Sequence, residues 1–225
     1  MTRIETVVLD MAGTTVADDG LVVGAFTRAW DRLPAAASAD RDAAIAHVVA
    51  TMGQSKIEVF RGLVDEDAAH ELNGLFEAAL DELVAESAAA LPGAEDTIRA
   101  LQDDGRTVVL TTGFSRTTVD ALLARLGWEE LVAVVLTPAD AGRGRPAPDL
   151  NLLAAIRTGV SSVDALAVVG DTESDARSGV RAGAGLVVAV RTGGHAAEDA
   201  LRDAGAAHVL DSVAELPELL SRLGR

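Results

Sequence analysis

The stretch Thr6 to Asp19, TVVLDMAGTTVADD, constrains this chain more than any other. Val7, Val8 and Leu9 run without polar alternation, which is how a strand buried on both faces of a parallel sheet reads. Asp10 ends that run, so it stands at the carboxyl edge of the strand, where open α/β sheets bind their ligands. A carboxylate that close to low-dielectric surroundings needs a cation, a hydrogen-bond shell or a reaction. The alternative is a turn aspartate that satisfies loop amides.

Downstream of this strand the pattern first turns helical and then alternates. Residues 22–33, 41–52, 56–64 and 66–87 read as helices, with Leu72, Leu75, Phe76, Ala79, Leu80 and Leu83 recurring at spacings of three and four. Pro34 and Gly53 break the block, and Leu91-Pro92-Gly93 closes it. Beyond it, strands over 107–110, 133–136, 166–169, 186–189 and 208–210 alternate with helices over 94–103, 117–126, 149–158, 174–182, 196–204 and 213–223. Alternation of this kind predicts an α/β fold, a Rossmann-like parallel sheet with helices on both faces. The first strand belongs to that sheet, so the helical block is an insertion that hangs over the ligand-binding edge like a lid. The expected division is a core of residues 1–16 and 90–225 and an all-helical cap of residues 17–89.

Composition narrows the partners. A formal net charge of -16 argues against nucleic acid or an anionic membrane surface, and an anionic substrate would need local positive charge. No apolar run reaches the length of a membrane span, the N-terminus lacks the order of a signal peptide, and the chain has no cysteine. A cytoplasmic protein is the expectation. Of the 19 basic residues, Lys56 is the sole lysine. It is either a solvated helix residue or a position needing what arginine cannot do, to lose its proton and act as an amine nucleophile.

Three more strand ends carry polar residues. The strand over 107–110 runs into Thr111, Thr112 and Gly113 before a helix, a place suited to an anion. After the strand over 133–136, prolines stiffen a loop, GRGRPAPD, that presents Arg145. The strand over 166–169 ends in GDTESD, where Asp171 and Asp175 can face one point and bind a hard divalent cation such as magnesium through oxygen.

The set DMAGTT, LTTGF, GRPAPD and GDTESD resembles the four motifs of the haloacid dehalogenase superfamily, and the helical block resembles the cap those enzymes insert after the first motif. The resemblance spans essentially the whole chain. It implies a nucleophilic Asp10, and Mg2+ held by Asp10, the Ala12 carbonyl and Asp171, with Asp175 supporting the metal shell. It also implies a phosphoryl site around Ala12, Gly13, Thr14, Thr111, Thr112, Gly113 and Arg145, the last standing where most members carry lysine. A small-molecule phosphate or phosphonate is the implied substrate, and a homodimer joined through the cap is what such families suggest. A carboxylate can approach an anionic phosphoryl group only where a metal and a cation neutralise the charge.

Two departures narrow the reading. Phosphomonoesterases of this superfamily usually place an aspartate two residues after the nucleophile to protonate the leaving alkoxide, whereas this chain has Ala12. Ala12, Arg145 and the stretch Met52-Gly53-Gln54-Ser55-Lys56 together resemble the phosphonatase branch, in which the cap lysine forms an imine with a substrate aldehyde. An iminium accepts the electron pair that carbon–phosphorus cleavage leaves behind, so an acid at position 12 has no leaving oxygen to protonate. That branch carries a histidine and a tyrosine where this chain has Val59 and Phe114. The resemblance therefore implies phosphonoacetaldehyde or a related phosphonate as substrate, with a phosphate ester as the alternative. His47, His70, His195 and His208 read as surface or packing residues.

Overall fold

The computed structural model describes every residue except Met1, Asp19, Ala37, Ser38 and His195. Strands β1 (Thr6–Asp10), β2 (Thr107–Thr111), β3 (Val134–Leu136), β4 (Leu166–Gly170), β5 (Leu186–Val190) and β6 (His208–Leu210) form one sheet in the order β3-β2-β1-β4-β5-β6. Every pairing is parallel. The chain winds outward from β1 to β3 on one side and from β4 to β6 on the other. The switch therefore falls between β1 and β4, and a crevice opens at their carboxyl ends.

Helices α1 (Leu21–Trp30), α2 (Arg41–Ala50), α3 (Lys56–Arg61) and α4 (Glu66–Ser87) follow β1 without an intervening strand. The remaining helices are α5 (Ala94–Asp103), α6 (Arg116–Leu126), α7 (Pro138–Ala141), α8 (Asp149–Thr158), α9 (Glu173–Ala182), α10 (Glu198–Asp203) and α11 (Leu216–Leu223). Alternate residues of the buried strands feed opposite faces. Val7 and Leu9 fall in one core cluster with Ile98 of α5, Val119 of α6 and Leu216 of α11, whereas Val8 falls in another with Leu150 and Ala154 of α8. Both faces are covered, as the unbroken apolar runs require.

The apolar interior continues from the sheet into the helical block, where three aromatic rings meet. Phe26 of α1 stacks on Phe60 of α3 with ring centroids 5.9 Å apart, and Phe60 meets Phe76 of α4 edge-on at 5.5 Å. These rings tie α3 to two longer helices, which a six-residue helix needs because it is too short to be stable alone.

Element ends differ from the sequence reading in several places. α1, α2 and α3 stop two or three residues early, and residues 213–215 form a 3-10 turn ahead of α11. The chain after β3, expected as a proline-stiffened loop, contains the one-turn helix α7. Pro138 at its first turn and a capping box between Thr137 and Asp140 explain it. No helix among the described residues is long and apolar enough to cross a membrane. His70 is exposed and His47 and His208 are half-buried; His195 lies outside the described residues.

Candidate active site

The ladder brings the strand ends together: Asp10 is in register with Thr111 on β2, and β4 on the other side delivers Asp171 just past its last residue. Asp10 and Asp171 are buried, 5 % and 3 % exposed. The turn after β1 is built for their close approach. Gly13 sits at φ 83, and a Cβ there would lie 2.5 Å from Asp171 Oδ2, so both backbone and space exclude a side chain. Thr14 Oγ1 donates to Asp171 Oδ1 at 3.1 Å, and Thr15 Oγ1 donates to the Asp10 carbonyl at 2.9 Å.

Asp175 is set by its own helix. Its Oδ2 accepts from the Thr172 amide at 3.1 Å, while Thr172 Oγ1 accepts from the Asp175 amide at 3.2 Å, a capping box at the start of α9. Its Oδ1 accepts from Arg145. Arg145 Nη1 also donates to Asp10 Oδ1 at 2.5 Å, so one buried guanidinium spans the two carboxylates. Removing either partner of such a buried pair leaves an uncompensated charge.

Lys56, the first residue of α3, is 8 % exposed and lines the same small cavity, of about 40 Å³, as Asp10, Arg145 and Asp171. The turn before it seats the helical block on the sheet. Gly53 has φ 76 and lies so close to Thr172 that an added Cβ would collide with the threonine hydroxyl. Burial pulls Lys56 from an ordinary lysine value down to about 8, helped by the Arg145 charge and opposed by Asp18 and Asp10. Burial likewise raises Asp10 to about 7 against the pull of Arg145, and raises Asp171 well above the carboxylate range, with Asp10 and Asp175 adding to it. Burial disfavours the Arg145 charge too, but Asp10 and Asp175 outweigh it and the guanidinium stays protonated.

The residues expected around a phosphoryl group divide into two sets. Ala12, Thr112 and Gly113 line the cavity with Arg145, whereas Gly13, Thr14 and Thr111 are buried and are not part of its lining. β2 runs one residue further than expected, so Thr111 is a buried ladder residue. Thr112 Oγ1 accepts from the Phe114 amide at 3.2 Å and shapes the loop. Asp18 and Phe114 also line the cavity. Sequence reasoning did not single out Asp18; its signal was an acidic residue ahead of Gly20, a helix-start pattern, and it does accept from the Val22 amide at 3.3 Å.

Asp10, Asp171 and Asp175 each offer one oxygen, and these lie within 4.8 Å of one another. Burial and mutual repulsion among the carboxylates raise Asp10 and Asp171 even with Arg145 beside them, so full ionisation of the set calls for further positive charge. An all-oxygen set of this kind fits a hard divalent cation. A sheet of this order, with carboxylates at its central strand ends and a helical block over them, defines a class of hydrolases. Residues 4–183 match the family model for haloacid dehalogenase-like hydrolases, and the chain belongs to that family.

Its relatives are more particular. The chain is 27 % identical to a phosphonoacetaldehyde hydrolase of Parabacteroides distasonis, over 99 % of this chain and 98 % of that protein. It is also 27 % identical to a bifunctional phosphonoacetaldehyde hydrolase/aminoethylphosphonate transaminase of Clostridioides difficile, over 98 % of this chain but only 40 % of that longer protein. Among solved structures, a phosphonoacetaldehyde hydrolase-like protein from Oleispira antarctica matches with a TM-score of 0.85 and 26 % identity, over 100 % of this chain and 94 % of that one. A hydrolase from Pseudomonas syringae matches with a TM-score of 0.84 and 23 % identity, over 98 % and 99 %, a likeness of fold.

Proposed function

We propose that this enzyme is a magnesium-dependent hydrolase that cleaves the carbon–phosphorus bond of phosphonoacetaldehyde or a related phosphonate. The observation that carries the reading is the burial of the chain's sole lysine in one cavity with Asp10 and Arg145, although the two acidic and basic strand-end residues and the lysine come from separate parts of the chain. We assign residues 17–89 as the cap that delivers Lys56, residues 1–16 and 90–225 as the core, and the cytoplasm as the site of action.

Asp10, the Ala12 carbonyl and Asp171, with Asp175 supporting them, would hold magnesium, which would supply the positive charge a carboxylate needs to meet a phosphonate dianion. Arg145 holds Asp10 and adds a second cation beside it. Lys56 condenses with the substrate carbonyl and water leaves. Asp10 then attacks phosphorus, the carbon–phosphorus bond breaks, and its electron pair moves into the enamine on Lys56. Protonation of the enamine carbon and hydrolysis free the lysine, and water releases phosphate from Asp10. With a value of about 8, roughly one Lys56 in ten is neutral at pH 7; an ordinary lysine is neutral in about one chain in three thousand.

Asp18 favours a second reading, a phosphomonoesterase acting on a small phosphorylated metabolite. Asp18 lines the cavity with Asp10, an acidic residue of the type that a phosphomonoesterase uses on its leaving group and that Ala12 is not. Phosphate release with magnesium from phosphonoacetaldehyde and from a panel of phosphate esters separates the two. The carbon–phosphorus reading expects the aldehyde to be the better substrate and Lys56→Arg to lose it; preferred esters, with Lys56→Arg still active on them, would establish the phosphatase.

A further inference from the structure

Lys56 lines not one cavity but two. Beyond the small one lies a second, of about 200 Å³, which shares Lys56, Gly113 and Phe114 with it and extends away from Asp10 between α3 and α4 on one side and the loops after β2 and β3 on the other. Phe76 and Leu80 of α4, Ile57 of α3 and Pro138 of α7 give it an apolar side, Glu77 and Arg116 are among the polar residues that complete its lining, and the lining residue Ala139 is exposed. None of the steps above uses this space. An aldehyde carbon bound to Lys56 carries one carbon substituent, which leads to phosphorus and Asp10, and one hydrogen. A ketone in the same place carries a second carbon substituent, and the larger cavity, which shares Lys56 in its lining, is the space available for it.

We propose that the substrate class of this enzyme includes 2-oxoalkylphosphonates, ketones whose alkyl group occupies the cavity lined by Ile57, Phe76, Leu80, Phe114 and Pro138. The inference rests on the imine reading of Lys56. The reaction balances as before: the ketone and Lys56 give a ketimine and water, Asp10 takes the phosphoryl group, and the carbon–phosphorus pair becomes the enamine. Proton uptake and hydrolysis then release a methyl ketone and phosphate. The apolar side favours a hydrocarbon chain over a charged one, because each methylene removed from water strengthens binding.

The test is phosphate release by the wild-type enzyme with magnesium, from phosphonoacetaldehyde and from 2-oxopropyl-, 2-oxobutyl- and 2-oxohexylphosphonate. Rates are compared within the ketone series because a ketone is less electrophilic than an aldehyde. The expected result is a kcat/KM that rises about fourfold per added methylene. Ala139→Phe, which narrows the larger cavity, should cost the hexyl ketone about tenfold more than it costs phosphonoacetaldehyde. Cleavage of the aldehyde with a flat or falling ketone series, or equal losses in A139F, overturns the inference and leaves the imine reading standing. Cleavage of neither aldehyde nor ketones defeats both.

Discussion

Asp10, Asp171 and the loop that bears Arg145 are anchored to strands whose register is held by ladder hydrogen bonds, whereas Lys56 begins a six-residue helix held by side-chain packing and by the turn at Gly53. The sheet half of the cleft is thus positioned by backbone, and the cap half by three aromatic rings and one close glycine contact. Such a division suits a reaction in which phosphorus chemistry needs fixed charges while the lysine must meet substrates entering under a lid. It also means that the two halves can be damaged separately.

Asp10→Asn strikes the sheet half and removes the nucleophile, so phosphate release should fall by on the order of 10⁴-fold or more, measured as kcat on any substrate. Lys56→Arg strikes the cap half while keeping charge and bulk. It should lower phosphonate cleavage by about 10³-fold, and inhibition by inorganic phosphate, which reads the sheet half, should stay within about twofold.

The comparison also has a pH signature. Lys56 is held below its ordinary value, so the protonated form dominates under about pH 8 and the reactive amine grows as pH rises. When imine formation limits the rate, phosphonate cleavage should climb about tenfold per pH unit below that point and level off above it. A rate that falls as pH rises from 6 to 8 contradicts the assignment. The smallest effect is expected from Gly53→Ala, which forces a side chain onto a positive φ and against Thr172. It should cost about 1–3 kcal/mol in urea unfolding and lower phosphonate turnover severalfold, with phosphate inhibition unchanged.

The sheet half was readable from the residues because a buried β-branched run that stops at a polar residue marks the sheet edge, as at Asp10 and at Gly170-Asp171. The capping box of Thr172 and Asp175 is likewise written locally. The cap half was readable only as helices and a conspicuous lysine. Where Lys56 ends up depends on Phe26, Phe60 and Phe76 meeting across three helices, and such long-range packing leaves no local pattern. Phe114 belongs to the LTTGF motif and Asp18 to a helix-start pattern, but neither pattern says that both residues line a cavity with Lys56. Thr111 is the last ladder residue of β2, paired with Asp10, and the next residue, Thr112, is the one that lines the cavity, a distinction that two adjacent threonines do not show in the sequence.

The central claim is that a neutral Lys56 amine bonds to substrate carbon while Asp10 bonds to phosphorus. Borohydride added to the enzyme with magnesium and phosphonoacetaldehyde tests it most directly, with the modified peptide located by mass spectrometry. The account predicts irreversible loss of activity and a reduced two-carbon adduct on Lys56, absent in Lys56→Arg. Full activity after borohydride, with Lys56 unmodified while phosphate is still released, would contradict it.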